Sequence, residues 1–357
     1  MAGARDEARA EQFAERMLDV VNHSFVALLT SIGHRTGLFD TLAALPHSTS
    51  EQIATAAGLD ERYVREWLAG MTVGGIVEYA PEDGTYALPA EHAAFLTRAA
   101  GPDNIAVLTQ YVSCMGEVED GIVECFRRGG GLPYSAYERF HAIMMEDSGQ
   151  VFDATLLTST LDLMPGMRER LSAGIDVLDV GCGSGRAVHL LAREFPHSRV
   201  TGYDFSEEAV GRARREAADL GLANATFVLT DVAEITDVAA FDLITAFDTI
   251  HDQAHPDRVL AGIARALRDD GTFLMVDIGA SSNVEDNLDH PLGPFLYGVS
   301  TMHCMSVSLG LGGMGLGTMW GEQRARAMLD EAGLDVVRVQ QVEGDIANSF
   351  YVARKRR

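Results

Sequence analysis

The chain has 357 residues, of which 47% are hydrophobic, and a formal net charge of −24. It is therefore long enough for two globular domains and too apolar to be a disordered chain. The excess of acids would repel phosphate backbones and argues against a nucleic-acid partner. Because Lys355 is the only lysine, lysine Schiff-base chemistry and a phosphate-binding loop ending in Gly-Lys are excluded as well.

Two features of the sequence bear on location. The first residues, "MAGARDEARAEQFAERM", are charged and lack the apolar core of a signal peptide, and the four cysteines show no C-x-x-C spacing. Both features indicate a cytoplasmic protein with reduced thiols. Residues 291–321 contain no Asp, Glu, Lys or Arg, but their eight glycines and two prolines do not suit a lipid-facing helix. We expect no membrane partner, and a buried helix followed by a flexible loop there.

The first hundred residues have the pattern of a winged-helix domain. Residues 11–45 are predicted to form one or two amphipathic helices, followed by a short helix at 48–58 and a second helix at about 60–73. Residues 76–79 and 85–88 are predicted to pair as a hairpin. Ser48 and Glu51 make a capping-box start for the short helix, which Gly58 ends. Residues 48–100 carry three arginines against eight acids, which suits phosphate contact poorly. We therefore predict a domain at 1–100 that serves structure or dimerisation rather than DNA binding.

The rest of the chain changes character near the sequence "LMPG", which is a plausible linker. We predict a helical linker and active-site cover at 101–172, and a third domain at 173–357 in which strands and helices alternate. The predicted strands are 175–180, 199–204, 225–230, 241–247, 272–278, 335–343 and 348–354. This alternation predicts an α/β fold with a seven-stranded, mainly parallel, doubly wound sheet.

A glycine-rich loop follows the first of these strands in "VLDVGCGSGRAV". Gly181, Gly183 and Gly185 let the backbone turn sharply and approach a ligand closely. The spacing is G-x-G-x-G, whereas dinucleotide sites use G-x-G-x-x-G, and Asp179 would repel a pyrophosphate. The carboxylate of Asp179 suits a ligand ammonium instead. The pattern disfavours an NAD-dependent oxidoreductase and favours an amino acid joined to a nucleoside.

Acidic residues also end the next two predicted strands. Asp204 is placed to accept both ribose hydroxyls, and Asp231 to accept from an adenine amino group, with Phe205 and Val232 as apolar walls. Each acid alone could be a helix cap. Acids at the ends of three successive strands indicate a nucleoside site.

These residues, with "DVGCGSG" as first motif, resemble the class I S-adenosylmethionine-dependent methyltransferases. The resemblance implies S-adenosylmethionine as cofactor, S-adenosylhomocysteine as product, and a set of cofactor-binding residues. That set is Asp179, Gly181, Cys182, Gly183, Gly185, Asp204, Phe205, Asp231, Val232, Phe247 and Asp248. With the winged-helix pattern ahead of it, the chain further resembles the dimeric small-molecule O-methyltransferases of secondary metabolism. In those enzymes the N-terminal domain forms the homodimer.

The stretch "HDQAHP" follows the fourth strand, where open α/β sheets bind ligands. Pro256 favours a helix start and separates His255 from His251, so a metal site of two histidines is not expected. His251 is similar to the general base of the resembled enzymes, and a histidine can take a proton at neutral pH. A hydrogen-bonded loop histidine is the alternative. The resemblance also implies Asp277 as the acid that orients the base and Glu322 as a second supporting acid.

Gln253 stands where the resembled enzymes keep an aromatic residue, so oxygen, nitrogen, sulfur or carbon could accept the methyl group. A small-molecule acceptor is expected, and the predicted binding residues are Phe140, Met144, Met145, Asp252, Met302 and His303. Plain packing in the protein interior is the alternative for the apolar side chains and His303, and a helix-start acid is the alternative for Asp252. A second hypothesis is a non-catalytic winged-helix regulator that senses the cofactor.

Overall fold

The computed structural model of the protein describes residues 6–356. The chain divides into two compact units, one extending to Gly116 and the other beginning at Glu117. This division falls inside the region 101–172 that the sequence sets apart. Within the described part of the chain, no helix has both the length and the apolar character needed to cross a membrane.

The first unit is mostly helical and carries one small hairpin. Its helices are α1 (Glu7–Thr36), α2 (Leu38–Ala44), α3 (Ser50–Ala57), α4 (Glu61–Val73), α5 (Ala90–Leu96) and α6 (Thr109–Gly116), and its strands are β1 (Glu78–Ala80) and β2 (Thr85–Ala87). A core around Phe39, Ile53 and Leu68 holds these elements together. The buried indole of Trp67 donates to the Leu29 carbonyl at 2.8 Å, which satisfies its one polar group.

The capping box of α3 lies one residue later than the sequence predicts. Thr49 is the N-cap, and its side chain and that of Gln52 bond reciprocally to the backbone. Ser48 instead exchanges backbone hydrogen bonds with Tyr86 of β2. A residue whose N–H and C=O are committed to a strand partner has extended geometry, so the helix begins only after it. The predicted box of Ser48 and Glu51 is thus corrected.

The second unit is built on a seven-stranded sheet. Its strands are β3 (Asp176–Val180), β4 (Arg199–Asp204), β5 (Ala225–Leu229), β6 (Phe241–Phe247), β7 (Leu267–Ile278), β8 (Leu334–Gln340) and β9 (Asn348–Lys355). The spatial order is β5-β4-β3-β6-β7-β9-β8. The first five strands pair in parallel, whereas β9 is antiparallel to both β7 and β8. This confirms the predicted α/β architecture.

The second unit contains helices that cover the two faces of the sheet and helices that pack beside it. They are α7 (Glu119–Arg128), α8 (Phe140–Thr155), α9 (Met167–Ala173), α10 (Arg186–Glu194), α11 (Glu207–Asp219), α12 (Pro256–Ala266), α13 (Gly293–Val299), α14 (Met305–Gly310) and α15 (Gly321–Glu331). Alternate side chains of β3 enter opposite cores, since Val177 belongs to one cluster and Leu178 to the other. The chain order reverses between β3 and β6. In open α/β sheets this switch point creates the ligand crevice, at the carboxyl ends of the strands.

The uncharged segment 291–321 is a bent helix followed by a glycine-rich loop. A π-helical turn, Ser300–Cys304, joins α13 to α14. A second π-helical turn, Leu156–Thr160, follows α8. Such turns widen a helix locally and occur often at functional sites.

Candidate active site

The glycine-rich loop between β3 and α10 requires glycine at two positions. Gly181 has φ 71°, and a Cβ there would lie 2.3 Å from the Cγ2 of Thr249. Gly185, with φ 82°, caps α10, where a Cβ would lie 2.5 Å from the ring of Phe227. A larger residue at either position would be strained in its backbone and would clash. Gly185 therefore serves the packing of the loop, whereas Gly181 and Gly183 line the cleft beyond β3.

Asp204, the last residue of β4, holds this loop through its carboxylate. Oδ2 accepts from the backbone N–H of Gly183 at 2.8 Å, and Oδ1 accepts from that of Ser206 at the same distance. Burial raises the pKa of Asp204, while these N–H donors oppose the shift. Each carboxylate oxygen can accept two hydrogen bonds. Asp204 thus retains acceptor capacity toward the cleft that it lines.

Two further buried acids stand at the same edge of the sheet. Asp179 accepts from the hydroxyl of Thr245 at 2.6 Å, and burial raises its pKa to about 7. Asp248 follows β6 with a left-handed φ of 49°. Its Oδ2 is 3.4 Å from the Nδ2 of Asn348, and its buried Oδ1 has no hydrogen-bond partner among the described residues. Burial, together with the neighbouring Asp277, raises the pKa of Asp248.

A single cleft collects most of the predicted cofactor residues and some of the predicted acceptor residues. Its wall contains Met144, Met145, Asp179, Gly181, Cys182, Gly183, Asp204, Phe205, Val232, Phe247, Asp248 and Asp252. The structure does not place Asp231 in this wall. Its exposed carboxylate accepts from the N–H of Ala233 at 2.9 Å and caps a short turn. The wall also contains Tyr134, His141, Ser148, Phe152, Ser184, Arg186, Ala187, Thr249 and Gln253, which the sequence predictions did not include as site residues.

His251 and Asp277 form a buried pair at the ends of β6 and β7. Nδ1 of His251 lies 2.7 Å from Oδ1 of Asp277, and both side chains are almost fully shielded from solvent. The same oxygen accepts from the indole N–H of Trp320 at 3.0 Å and the backbone N–H of Ile278 at 2.9 Å. Since an ionised carboxylate only accepts, Nδ1 is the donor and Nε2 is left to accept a proton.

The surroundings of His251 determine its protonation. Burial alone would lower its pKa, but the charge on the Asp277 carboxylate outweighs this and holds the pKa of His251 well above the usual value. A nearby negative charge favours the charged imidazolium in this way. The pair therefore has a strong affinity for one proton.

The side chain of Glu322 makes no hydrogen bond to His251 or Asp277 among the described residues. It accepts from the Nε of Arg326 at 2.7 Å, one turn along α15, and its side chain is partly exposed. The side chain that reaches Asp277 from this region is Trp320. A buried tryptophan requires an acceptor for its N–H, and this requirement is the sequence signal that could have identified it.

The predicted acceptor residues fall into two groups. Met144 and Met145 line the cleft, whereas Phe140 and His303 are buried and stack on each other with ring centroids 3.4 Å apart. Met302 is linked to the second group by its backbone, since the Met302 carbonyl accepts a hydrogen bond from the hydroxyl of Tyr137. The second group extends inward from the cleft wall.

Asp252 and Gln253, which follow His251 in the chain, line the cleft. The Nε2 atom of the Gln253 side-chain amide donates to the carboxylate of Asp252 at 2.9 Å and to the backbone carbonyl of Thr249 at 3.1 Å. Burial raises the pKa of Asp252 to about 6, although the charge on His251 opposes the shift. Across residues 6–356, no cluster of three or more His, Cys, Asp or Glu side chains is arranged to hold a metal ion.

Both units match known sequence families. Residues 24–98 match the family described as the Rv2258c-like winged HTH domain, and residues 171–333 match the family described as the methyltransferase domain. The malonyl-[acyl-carrier protein] O-methyltransferase of Paenibacillus sp. (strain JDR-2) is 29% identical over 136 residues, which are 36% of this chain and 49% of that protein. The trans-aconitate 2-methyltransferase of Acidovorax sp. (strain JS42) is 31% identical over 115 residues, 32% of this chain and 40% of that protein. The alignments thus span less than half of either relative.

Solved structures resemble the whole chain in fold. The mitomycin 7-O-methyltransferase MmcR superposes with a TM-score of 0.71 at 19% identity, over 98% of this chain and all of that one. Human N-acetylserotonin methyltransferase, solved in complex with S-adenosylmethionine, gives a TM-score of 0.70 at 17% identity over 100% of both chains. At these identities the likeness establishes the fold alone.

Proposed function

We propose that this chain, an S-adenosylmethionine-dependent methyltransferase with a winged HTH domain ahead of its methyltransferase domain, methylates a hydroxyl of a small organic molecule. His251 is the general base of this reaction. The observation that carries the proposal is the buried His251–Asp277 pair at the carboxyl edge of the sheet, beside the glycine-rich cleft. The likeness in fold to a mitomycin 7-O-methyltransferase supports a small organic molecule as the acceptor.

The cleft fits the cofactor by its own chemistry. The orphaned Oδ1 of Asp248 and the carboxylate of Asp179 suit an ammonium, and the free lone pairs of Asp204 suit ribose hydroxyls. Phe205 and Val232 suit the faces of a purine. When bound, S-adenosylmethionine supplies an electrophilic methyl group on a sulfonium with a neutral thioether as leaving group.

His251 handles the proton that methylation releases. The acceptor oxygen forms its bond to the methyl carbon as its hydroxyl proton passes to Nε2 of His251. Asp277 keeps the ring oriented through Nδ1 and stabilises the imidazolium that results. Trp320 and the backbone of Ile278 fix Asp277 in turn, so the base cannot rotate away from the acceptor.

The first test is calorimetric titration of the full chain with S-adenosylmethionine and S-adenosylhomocysteine. We expect both to bind with micromolar or tighter affinity. Incubation with S-adenosylmethionine and a pool of small hydroxylated aromatics should then give products heavier by one methylene group in a mass spectrum. The absence of binding heat for both compounds would refute the cofactor assignment, and binding without any methylated product would refute the acceptor class.

A regulatory role on DNA is disfavoured by the charges of α4. Its arginines are paired with glutamates of the same helix, Arg62 with Glu66 at 2.5 Å and Arg65 with Glu61 at 3.3 Å. Arginines engaged in this way, within an acidic domain, offer little to a phosphate backbone. This supports an enzyme whose winged-helix unit has another task.

We propose that this task is homodimerisation through α1. The helix exposes large apolar side chains along most of its length, at Phe13, Met17, Leu18, Val20, Val21, Phe25 and Ile32. A continuous exposed apolar stripe of this kind marks an interaction surface. A second copy of the same helix is the occupant, because an apolar stripe is self-complementary in a two-fold dimer.

The dimer predicts a clear effect of one substitution. Phe25→Asp should convert the protein from dimer to monomer in light scattering after size exclusion, because a charge would be buried in the interface. Phe126→Asp is the matched control, since Phe126 is an exposed phenylalanine of the second unit, and it should stay dimeric. A monomeric wild type, or an unchanged mass for Phe25→Asp, would contradict the proposed interface.

A further inference from the structure

His303 is a buried histidine whose ring nitrogens are not used by the fold. Its side chain is fully shielded from solvent, and neither Nδ1 nor Nε2 has a hydrogen-bond partner among the described residues. Folded proteins leave few buried polar atoms unpaired, because each one loses its bonds to water without compensation. An imidazole with two such atoms therefore calls for a ligand that pairs with them.

The position of His303 connects the base to the cleft. It lies in the π-helical turn Ser300–Cys304, whose last residue places its thiol beside His251. The ring of Tyr134 is nearly perpendicular to the His303 ring, with centroids 5.2 Å apart, and Tyr134 lines the cleft. A group that reached His303 from the cleft would thus also be close to His251.

The walls around His303 are aromatic. Phe140 stacks on its ring with centroids 3.4 Å apart and planes inclined by 13°, and the ring of Tyr137 lies at a steep angle to it with centroids 4.5 Å apart. Tyr134 itself stacks on His141, another residue of the cleft wall, at 4.6 Å. Flat apolar walls of this kind select planar rings, which bury large areas at a small cost in entropy. They favour an aromatic acceptor.

The charge state of His303 restricts the polar group it can recognise. Burial and the charges on His251 and His141 lower its pKa to about 3. It is therefore neutral at physiological pH, with one ring N–H donor and one acceptor nitrogen. A neutral ring pairs well with a hydroxyl, which both donates and accepts, and has no positive charge to offer a carboxylate or phosphate.

We propose that His303 is a specificity-determining residue that hydrogen-bonds an oxygen substituent adjacent to the hydroxyl that is methylated. The acceptor class is then a neutral aromatic compound with two vicinal oxygen substituents. This inference rests on the proposed function, because it uses His251 to define which hydroxyl reacts. His303 itself positions the acceptor and takes no part in the transfer of the proton.

The experiment compares 2,3-dihydroxynaphthalene with 2-naphthol, two neutral rings that differ by one vicinal hydroxyl. Both are titrated calorimetrically into the full-length protein saturated with S-adenosylhomocysteine. The wild type should bind the diol at least about tenfold more tightly, as one hydrogen bond implies. In His303→Phe and in His303→Leu, the two affinities should agree within about threefold.

Thermal unfolding supplies a second readout that needs no acceptor. His303→Phe should raise the midpoint of unfolding of the ligand-free protein by roughly 2–4 °C, because it removes two unpaired buried nitrogens among aromatic neighbours. His189→Phe is the matched control: His189 is equally buried, but its Nε2 is bonded to the Ala213 carbonyl at 3.0 Å, so its loss should lower the midpoint.

The outcomes separate this inference from the proposed function. Failure of S-adenosylhomocysteine to bind the wild type would remove the proposed function itself. Binding of S-adenosylhomocysteine with no diol preference, or with neither naphthol bound, would overturn the role of His303 alone. A preference that survives in His303→Phe, or a midpoint that falls as in His189→Phe, would likewise overturn it.

Discussion

Replacing His251 by alanine should lower kcat for methylation by about 10²–10⁴-fold and leave the affinity for S-adenosylmethionine within a factor of about three. The reason is that His251 is buried with Asp277 at the ends of β6 and β7 and is absent from the wall of the cofactor cleft. Its loss removes the proton acceptor and leaves the cofactor contacts in place. Rates from single-turnover kinetics and affinities from calorimetry would measure the two quantities separately.

The pH dependence of the same reaction identifies the base. Burial lowers the pKa of His251, but the charge on the Asp277 carboxylate more than offsets this and raises the pKa well above 6.5. A base must be neutral to accept a proton, so kcat/KM should rise with pH through an inflection above pH 6.5. Asp277→Asn removes the negative charge and should move that inflection to lower pH, and His251→Ala should abolish it.

His255→Ala is the matched control for the base. His255 precedes α12 and makes no side-chain capping bond to it, so its removal should change kcat by less than about threefold. If His251→Ala retains the wild-type rate, or if both histidine variants lose activity equally, the assignment of His251 is wrong. The comparison depends on both variants unfolding at temperatures close to that of the wild type.

The sheet could be predicted from the sequence because each strand corresponds to a short stretch of sequence that can be recognised without knowing its neighbours in the fold. Each buried run, such as "DVLDV" at 176–180, is short and stands between polar or glycine-rich turns, and its length and flanking residues define it. β7 departs furthest from its predicted bounds, since it begins at Leu267 and the prediction began at residue 272. Its first residue pairs with Phe241 across a register shift in the ladder, and such irregularities have no signature in a single strand.

The glycine-rich motif allowed a methyltransferase domain and its cofactor to be predicted, and residues 171–333 match the methyltransferase domain family. A loop motif of this type is informative because φ > 0 and close backbone approach restrict the residue choice. Residues brought in from distant segments carry no such restriction. Asn348 reaches Asp248 only because β9 pairs antiparallel with β7, and Trp320 reaches Asp277 across 43 positions of sequence.

The carboxylate of Asp204 gives the second large effect. Asp204→Ala should weaken binding of S-adenosylmethionine by roughly 10²–10⁴-fold, since two hydrogen bonds from ribose hydroxyls to a charged acceptor contribute about 1.5–3 kcal/mol each. The substitution also removes the acceptor for the N–H groups of Gly183 and Ser206, so the glycine-rich loop loses its anchor. Calorimetric titration with S-adenosylmethionine and S-adenosylhomocysteine measures the loss.

Asp231→Ala is the comparison that isolates this role. Asp231 also follows a strand of the sheet, but its exposed carboxylate bonds to the N–H of Ala233 and lies outside the cleft wall. Because this carboxylate is exposed to water and does not line the cleft, its loss should cost no more than about tenfold in affinity. Equal losses in the two variants would mean that the ribose is not held by Asp204. A much larger loss for Asp204→Ala than for Asp231→Ala would support binding of the ribose at the end of β4, where the Asp204 carboxylate lines the cleft.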